Sequence, residues 1–244
     1  MKLIKLDAID STNTFLKELA QVELLDNFTV VTASEQLKGR GQMNTGWLSE
    51  PNKNLLCSVF YKFENALFSH QVYLNYAISL SVYQTLQEYK LLDLAIKWPN
   101  DILSQKNKVS GILIESVVKQ QKLKSAIIGI GLNVNQVDFF KDLYNVTSIK
   151  EATGNETNID EVLRVLIQNL KKNIKQFEMR NFLDLEKRYL KTLYKKNIPT
   201  MFKTSKNVLF MGMIIGVSTS GKLQIQLEDD SVKEFGIKEV SFAN

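Results

Sequence analysis

The pattern of apolar and polar residues divides the chain into strand-like runs and helical stretches. Runs of alternating or β-branched residues indicate strands, whereas apolar residues that recur every three or four positions indicate amphipathic helices. Strands are predicted at residues 2–8, 28–33, 55–63, 94–98, 102–103, 109–118 and 126–135. Helices are predicted after a cap at residues 10–12, at residues 71–89, in a block that follows residue 158 or 160, and at residues 182–194.

The order of these elements predicts an α+β protein with two parts. The hairpins that follow residue 101 favour an antiparallel or mixed sheet flanked by helices over repeated βαβ units. After Pro199 the composition shifts to short strand-like pieces at residues 210–217, 223–227, 232–235 and 239–242. We therefore predict a larger domain over residues 1–195 and a small five-stranded β-barrel over residues 196–244.

Composition excludes several classes of protein. The 244 residues are 44% apolar and 23% charged with 3 prolines, which is typical of a packed domain and not of a disordered chain. Cys57 and His70 are the only residues of their types, which argues against a disulfide framework, a histidine-based zinc site and a Ser-His-Asp triad. The absence of a cationic leader or a long apolar run predicts a cytoplasmic protein with no membrane partner.

The charge balance narrows the choice of partners only slightly. A net charge of +5 and a pI near 9.0 permit attraction to nucleotides, nucleic acid or an acidic protein. No basic stripe alternates with aromatic residues, so nucleic acid is not the expected partner.

A glycine-rich segment between two predicted strands carries the strongest candidate chemistry. Residues 34–57 place Gly39, Gly41 and Gly46 around Arg40. Glycine permits close approach of the backbone to a ligand, and arginine offers a planar cationic fork for carboxylate or phosphate. A segment of this length is typical of a lid whose N–H groups bind an anion, although a flexible surface hairpin would also fit.

Four further polar motifs accompany this segment, and each has an ordinary explanation when taken alone. Residues 9–13 could cap a helix, Asn100 and Asp101 could form an Asx turn, and Lys108 could be a solvated turn lysine. Together with the glycine-rich segment, the motifs are IDSTN at residues 9–13, SEQLKGRGQMNTGWLSEPNKNLLC at 34–57, KWPND at 97–101, KVSGILIE at 108–115 and GIGLN at 129–133. In this order and at these spacings, the five motifs resemble the catalytic domain of the biotin protein ligase (biotin–acetyl-CoA-carboxylase ligase) family.

The resemblance implies a fold, a type and a set of partners. It implies the class II synthetase-like fold shared by biotin and lipoate ligases over residues 1–195, and an SH3-like barrel over residues 196–244. Because the first motif begins near residue 9, the monofunctional type without an N-terminal helix-turn-helix is expected. The expected partners are biotin, ATP with Mg²⁺, and a lysine of a biotin carboxyl carrier protein, with no permanently bound cofactor. Sheet edges that pair between copies would make a homodimer.

The implied reaction has two steps and needs no protein nucleophile. The carboxylate of biotin attacks the α-phosphate of ATP to give biotinyl-5′-AMP and pyrophosphate, and a carrier lysine then displaces AMP. Catalysis would rest on the positioning of two anions, the stabilisation of charge at phosphorus and the exclusion of water.

The resemblance also assigns roles residue by residue. Arg40 and Lys108 are the expected catalytic cations, which also contact biotin, and Asp101 is the candidate neighbour of Mg²⁺. The other residues expected to bind biotin are Ser11, Thr12, Asn13, Gln36, Gly39, Gly41, Gln42 and Gly111. The residues expected to bind the nucleotide are Trp47, Asn100, Asp101 and Asn133.

Two other functions stay open at this point. A lipoate–protein ligase or octanoyltransferase shares the fold, but the Gly-Arg-Gly and KWPND motifs favour biotin, and a transferase would need a cysteine better placed than Cys57. A non-catalytic nucleotide- or carrier-binding module is the second alternative. It is considered because Gln42, Met43 and Thr45 stand where the family usually has basic residues. That departure leaves Arg40 and Lys108 as the only cations that the motifs bring near the phosphates.

We predict that Gln42→Arg lowers the escape of biotinyl-5′-AMP. A charge-assisted hydrogen bond contributes about 1.5–3 kcal/mol, so one added arginine would reduce escape by about tenfold or more. Biotinylation of an added non-carrier protein measures escape, with labelling of the carrier as the reference. Equal labelling of the non-carrier protein by both forms would contradict this hypothesis.

Overall fold

The computed structural model describes residues 2–140 and 145–243. Within these ranges the chain forms twelve β-strands and five α-helices, and no helix is both long and apolar enough to cross a bilayer. The strands are β1 (Leu3–Ile9), β2 (Thr29–Gln36), β3 (Leu55–Leu67), β4 (Ala95–Lys97), β5 (Asp101–Ser104), β6 (Asn107–Lys119), β7 (Lys122–Leu132), β8 (Pro199–Thr204), β9 (Leu209–Val217), β10 (Leu223–Leu227), β11 (Val232–Phe235) and β12 (Val240–Phe242). The helices are α1 (Thr12–Val22), α2 (Gln71–Glu88), α3 (Ile149–Thr153), α4 (Ile159–Glu178) and α5 (Phe182–Thr192).

Seven strands form one mixed sheet in the order β1-β2-β3-β7-β6-β5-β4. The β1–β2 pair is parallel, and the other neighbouring pairs are antiparallel. Long β3, β6 and β7 lie side by side at the centre, where successive hairpins place them. The predicted α+β fold with a mixed sheet is therefore confirmed.

The two faces of this sheet carry separate apolar layers because successive side chains of a strand point to opposite faces. On one face, Val31, Phe60 and Ile127 pack with the fully buried Leu16 of α1. The neighbouring residues on the same three strands belong to the main core on the other face, and they are Val30, Val59 and Ile128. Alternate side chains of these strands therefore pack against α1 on one face of the sheet and against the remaining long helices on the other.

Helix α2 is buried on nearly all sides, which differs from the amphipathic helix that its sequence predicts. The difference arises because α2 packs against α4 and α5 in addition to the sheet. Two of its buried hydroxyls bond within the helix. Ser81 Oγ donates to the carbonyl of Ala77, and Thr85 Oγ1 donates to the carbonyl of Ser81. Ser81 and Thr85, two polar positions that suggest a solvated face, are therefore satisfied within the helix.

The C-terminal strands form a second, antiparallel sheet in the order β11-β10-β9-β8-β12. This matches the predicted small barrel-like unit. The sequence pattern missed β8, because the residues that face inward, Thr200 and Phe202, include only one large apolar side chain. Phe202 and Ile214 belong to the same buried apolar cluster as the seven-stranded sheet. The division between residues 195 and 196 stays a prediction.

We predict that Leu16→Ala lowers the free energy of unfolding by about 2–5 kcal/mol, because it removes the anchor of α1 and leaves a cavity. Val22→Ala at the end of the same helix is the matched control. Val22 is 81% exposed, so its truncation should change stability by less than about 0.5 kcal/mol. Urea unfolding followed by circular dichroism measures both, and equal losses would contradict the described packing of α1.

Candidate functional site

A cavity of about 480 Å³ lies where the start of α1, the end of β2, the loop of residues 39–47 and the C-terminal sheet meet the first half of β6 and the end of β7. Arg40 and Lys108, which are 68 positions apart in the chain, both line it. The structure therefore brings the two expected catalytic cations into one cleft. The other predicted residues that line the cavity are Ser11, Thr12, Asn13, Gln36, Gly41, Gln42, Trp47, Asn100, Asp101 and Gly111.

The loop of residues 39–47 has structure of its own, unlike the unstructured lid that its length predicts. An isolated antiparallel bridge joins Arg40 to Gly46, and the N–H of Gly41 donates to the carbonyl of Thr45 at 2.6 Å. The N–H of Trp47 donates to the carbonyl of Gly39 at 2.9 Å. The Gly41 N–H is therefore already bonded, so its predicted use as an anion donor requires this small hairpin to open.

Trp47 lies across the floor of the cavity. Gly111 and Gly131 are cross-strand partners on β6 and β7, and a Cβ built on either glycine would collide with the indole ring of Trp47. The Lys108 ammonium lies 5.4 Å from the centroid of that ring, which is within the range of a cation–π contact. Gly111 and Gly131 are thus needed for close approach of the loop to the sheet.

Both expected catalytic cations are paired with carboxylates. A guanidinium nitrogen of Arg40 lies 2.9 Å from a carboxylate oxygen of Glu115, and Lys108 Nζ lies 2.7 Å from Asp101 Oδ1. Arg40 and Glu115 are 45% and 25% exposed, and Lys108 and Asp101 are 32% and 24% exposed. These half-buried pairs fix the direction of each cation, yet solvent still reaches them, so an incoming anion can exchange with the carboxylates.

A chain of polar side chains runs from β2 to the Arg40 pair. The backbone N–H and the hydroxyl of Thr12 both donate to Gln36 Oε1, at 2.8 and 3.0 Å. The hydroxyl oxygen of Ser58 lies 2.7 Å from Thr12 Oγ1 and 2.6 Å from Asn13 Oδ1. Asn13 Nδ2 then donates to the same Glu115 oxygen that Arg40 contacts. A continuous series of hydrogen bonds therefore connects the loop of residues 39–47 to the start of α1.

Sequence reasoning missed two members of this chain. Ser58 lies within an apolar strand, and Glu115 ends the KVSGILIE motif, yet neither received a role. A serine inside a run of buried apolar residues is the signal that could have identified Ser58. The predicted capping chemistry at the start of α1 also differs, because Ser11 makes no side-chain capping bond and Gln36 binds the first helical N–H instead.

Other predicted residues have structural partners. Asn133 is 4% exposed and donates through Nδ2 to the carbonyl of Thr147, and neither Asn133 nor Gly39 lines the cavity. The structure therefore offers Asn133 no direct path to an adenine ring in this cleft. Asn100 does line the cavity, but its side chain donates to the carbonyl of Ile112 on β6 at 2.7 Å, which is not the local bond of the predicted Asx turn.

The cavity is more cationic than the motifs predict. In addition to Arg40 and Lys108, it is lined by Lys97 and Lys238. The expectation that Arg40 and Lys108 are the only cations from the motifs is wrong, because Lys97 belongs to KWPND and also faces the cleft. Asp101 is the one carboxylate among the described lining residues. Four basic groups against one acidic group favour an anionic ligand.

Two polar atoms of the loop have no partner in the described part of the protein. Gln42 Oε1 and Trp47 Nε1 are both buried without a hydrogen bond. A buried donor or acceptor without a partner costs about 1–3 kcal/mol, so a polar ligand in this cavity would stabilise the loop by bonding to either atom.

The cavity wall also contains Cys57. The thiol is 1% exposed, and burial raises its pKa to about 12. It is therefore protonated at neutral pH, as predicted for a small buried hydrophobe, and a thiolate nucleophile is not available there.

The acidic residues do not form a dedicated metal centre. Among residues 2–140 and 145–243, no three His, Cys, Asp or Glu side chains are grouped as metal ligands. Mg²⁺ is usually held by one or two carboxylates together with substrate phosphates. Asp101 can supply the one carboxylate that such a Mg²⁺ ion needs, whereas the described residues do not provide a site made of protein ligands alone.

We predict that Gly131→Ala displaces the Trp47 ring and lowers the free energy of unfolding by about 1–3 kcal/mol, as overpacking does. Gly46→Ala is the matched control, because a Cβ there lies 3.8 Å from its nearest neighbour. Acrylamide quenching of Trp47 fluorescence in a Trp98→Phe background measures the displacement. Identical quenching in the Gly131→Ala and Gly46→Ala variants would contradict the described position of Trp47.

Comparison with known proteins places this cleft in a family. The biotin/lipoate A/B protein ligase family model matches residues 6–133. Among curated relatives, the bifunctional ligase/repressor BirA of Bacillus subtilis is 29% identical over 99% of this chain and 73% of its own length. The biotin–[acetyl-CoA-carboxylase] ligase of Paracoccus denitrificans is 28% identical over 88% of this chain and 90% of its own length.

A solved structure agrees over the whole chain. The biotin protein ligase from Aquifex aeolicus in complex with biotin and ATP superposes with a TM-score of 0.78 at 30% identity, covering 100% of this chain and 99% of that one. The matched family segment includes all five motifs of the predicted site. The chain therefore belongs to the biotin/lipoate A/B protein ligase family.

Proposed function

We propose that the protein is an ATP-dependent biotin protein ligase. In the first step a carboxylate oxygen of biotin attacks the α-phosphorus of ATP, and pyrophosphate leaves with the bridging oxygen. In the second step the amine of a carrier lysine attacks the acyl carbon, AMP leaves, and the amine loses a proton. The proposal depends on one observation above all, the convergence of four cations and a neutral polar chain in a single cleft.

The cleft has a neutral polar part and a cationic part, which suit the ureido ring of biotinyl-5′-AMP and its acyl–phosphate junction. Thr12, Asn13 and Gln36 form the neutral polar part, where amide and hydroxyl groups can bind the ureido ring. Arg40 and Lys108 form the cationic part, where carboxylate and phosphate react. We propose that these anions replace Glu115 and Asp101 as partners of the cations, so that charge developing at phosphorus meets fixed positive groups.

Mg²⁺ is proposed to enter with the nucleotide. Asp101 supplies one carboxylate, and the phosphates of ATP supply the remaining anionic ligands. When Lys108 turns from Asp101 towards the reacting groups, this carboxylate becomes free for the ion. The role of Asp101 therefore depends on the same exchange of partners that activates Lys108.

The alternatives are less well supported. An octanoyltransferase that uses a cysteine nucleophile is disfavoured because burial keeps Cys57 protonated. A lipoate ligase would share the cationic part, and the difference from a biotin ligase lies in the polar part, since a dithiolane ring cannot use the hydrogen bonds that Thr12, Asn13 and Gln36 offer. The resemblance to ligases named for acetyl-CoA carboxylase supports a biotin carboxyl carrier protein as acceptor.

Location and assembly are part of the proposal. An ATP-dependent modification of carrier proteins is proposed to take place in the cytoplasm. A homodimer would use the β1 edge of the seven-stranded sheet, where Leu3 is 38% exposed and β1 pairs on one side with β2.

We predict that the protein catalyses ATP–pyrophosphate exchange that depends on biotin and that neither lipoate nor octanoate supports. Lys108→Ala should lower kcat for exchange by about 10²–10³-fold, the usual effect of removing one donor that stabilises transition-state charge. Lys106→Ala, an exposed lysine in the adjoining turn, is the control and should stay within about twofold of the parent. Exchange driven by lipoate or octanoate, or no exchange by the folded protein, would reject the assignment.

A further inference from the structure

We propose that Lys238 of the C-terminal sheet latches the loop of residues 39–47 over the cleft and thereby slows escape of the acyl-adenylate. The second half of this inference rests on the proposed function, whereas the latch itself does not. Lys238 acts as a positioning residue, because its side chain bonds to the backbone of the loop.

The contact joins two distant parts of the chain. Lys238 Nζ donates to the carbonyl oxygen of Met43 at 2.9 Å, across 195 residues. Met43 lies at the tip of the loop hairpin, in the turn Gln42–Asn44. Lys238 and Met43 have φ angles of 66° and 51°, a region that side chains other than glycine rarely adopt. Both ends of the contact are therefore positions where surrounding structure determines an uncommon backbone conformation.

The tip of the loop has few other attachments. Arg40 is the only charged side chain within residues 39–47, and it points to Glu115 on the central sheet. Met43 is 57% exposed, so apolar burial contributes little at the tip. The anchoring contacts of Arg40 and Trp47 hold the base of the hairpin, whereas the ammonium of Lys238 holds its end.

The position of Lys238 makes this attachment relevant to the cleft. Lys238 itself lines the cavity, as do its neighbours Ile237 and Val240. The C-terminal sheet therefore supplies one wall, and the loop meets that wall through Lys238. Breaking the contact between Lys238 and Met43 would separate the loop from the C-terminal sheet on the side of the cavity that is lined by the four cations. An intermediate with a phosphodiester-like anion would also be attracted to the Lys238 ammonium while the loop stays closed.

The expected effect is modest because the contact is solvent-exposed. An exposed interaction of an ammonium shifts an equilibrium by roughly two- to fivefold. Lys238→Ala should therefore raise the population of the open loop by about that factor. Lys238→Arg keeps a cationic donor and a side chain of similar reach, so it should restore closure. Both replacements retain a Cβ, which leaves the backbone strain at φ 66° unchanged.

The latch can be tested without substrate, by hydrogen–deuterium exchange on the full-length, ligand-free protein. The amides of Gly41, Thr45 and Trp47 report on the hairpin, since each donates a hydrogen bond within the loop. We predict roughly two- to fivefold faster exchange of these amides in Lys238→Ala, and parent-like exchange in Lys238→Arg. Lys233→Ala is the matched control, an exposed lysine on β11 that does not line the cavity. Equal loop exchange in Lys238→Ala and Lys233→Ala overturns the latch.

Escape of the intermediate is tested separately with biotin and ATP. Biotinylation of an added non-carrier protein, measured relative to labelling of the carrier, should rise by roughly two- to fivefold in Lys238→Ala and should return to the parent level in Lys238→Arg. If the loop amides of Lys238→Ala exchange hydrogen faster but labelling of the non-carrier protein is unchanged, the proposal that Lys238 slows escape of the acyl-adenylate is wrong. If the parent protein shows no biotin-dependent pyrophosphate exchange, the proposed function fails, and the exchange of the loop amides still decides the latch.

Discussion

The pairing of two cations with two carboxylates is the interaction on which the cleft depends. Arg40 with Glu115 and Lys108 with Asp101 form half-buried ion pairs. A cation held near low-dielectric protein without a partner would be costly, and one held by a fully buried carboxylate could not be displaced. The intermediate solvent exposure of these two ion pairs avoids both an unpaired cation and a pair that cannot be displaced. The protein thus keeps its positive groups aimed at the site while they stay available for the anions of a substrate.

The fold supplies the geometry for these pairs from elements that are far apart in sequence. The central strands β6 and β7 carry Gly111 and Gly131 side by side, so the Trp47 ring can pack closely on the sheet and bring the loop with it. The same β6 carries Lys108 at one end and Glu115 further along. Loop closure and cation placement therefore depend on one pair of strands, and a methyl group on either glycine would disturb both.

Much of the architecture could be predicted from residue periodicity, because buried strands and helices leave a local pattern. The failures have physical causes. The β8 strand buries only one large apolar residue, and α2 is covered partly by helices that begin 70 or more residues after it ends. Local patterns do not reveal which distant element covers a face. Knowledge of motifs identified the cleft, but roles for individual residues depended on contacts that motifs do not encode.

Lys238 and Asn133 illustrate that limit from opposite sides. Lys238 belongs to no motif, yet it reaches the loop tip because the C-terminal sheet folds back onto the cleft. Asn133 belongs to a motif, yet its side chain bonds to the carbonyl of Thr147 away from the cavity wall. The motifs in the sequence suggested a role for Asn133 and none for Lys238. Only tertiary placement distinguishes a residue that holds the scaffold from one that meets the ligand.

The most direct measurement is a crystal structure of the complex with an unreactive analogue of biotinyl-5′-AMP that retains the phosphate. The account predicts that the Arg40 guanidinium and the Lys108 ammonium lie within about 3.2 Å of the oxygens at the acyl–phosphate junction, with Glu115 and Asp101 no longer their partners. An analogue bound with both ion pairs intact, or bound outside this cleft, would contradict the central claim.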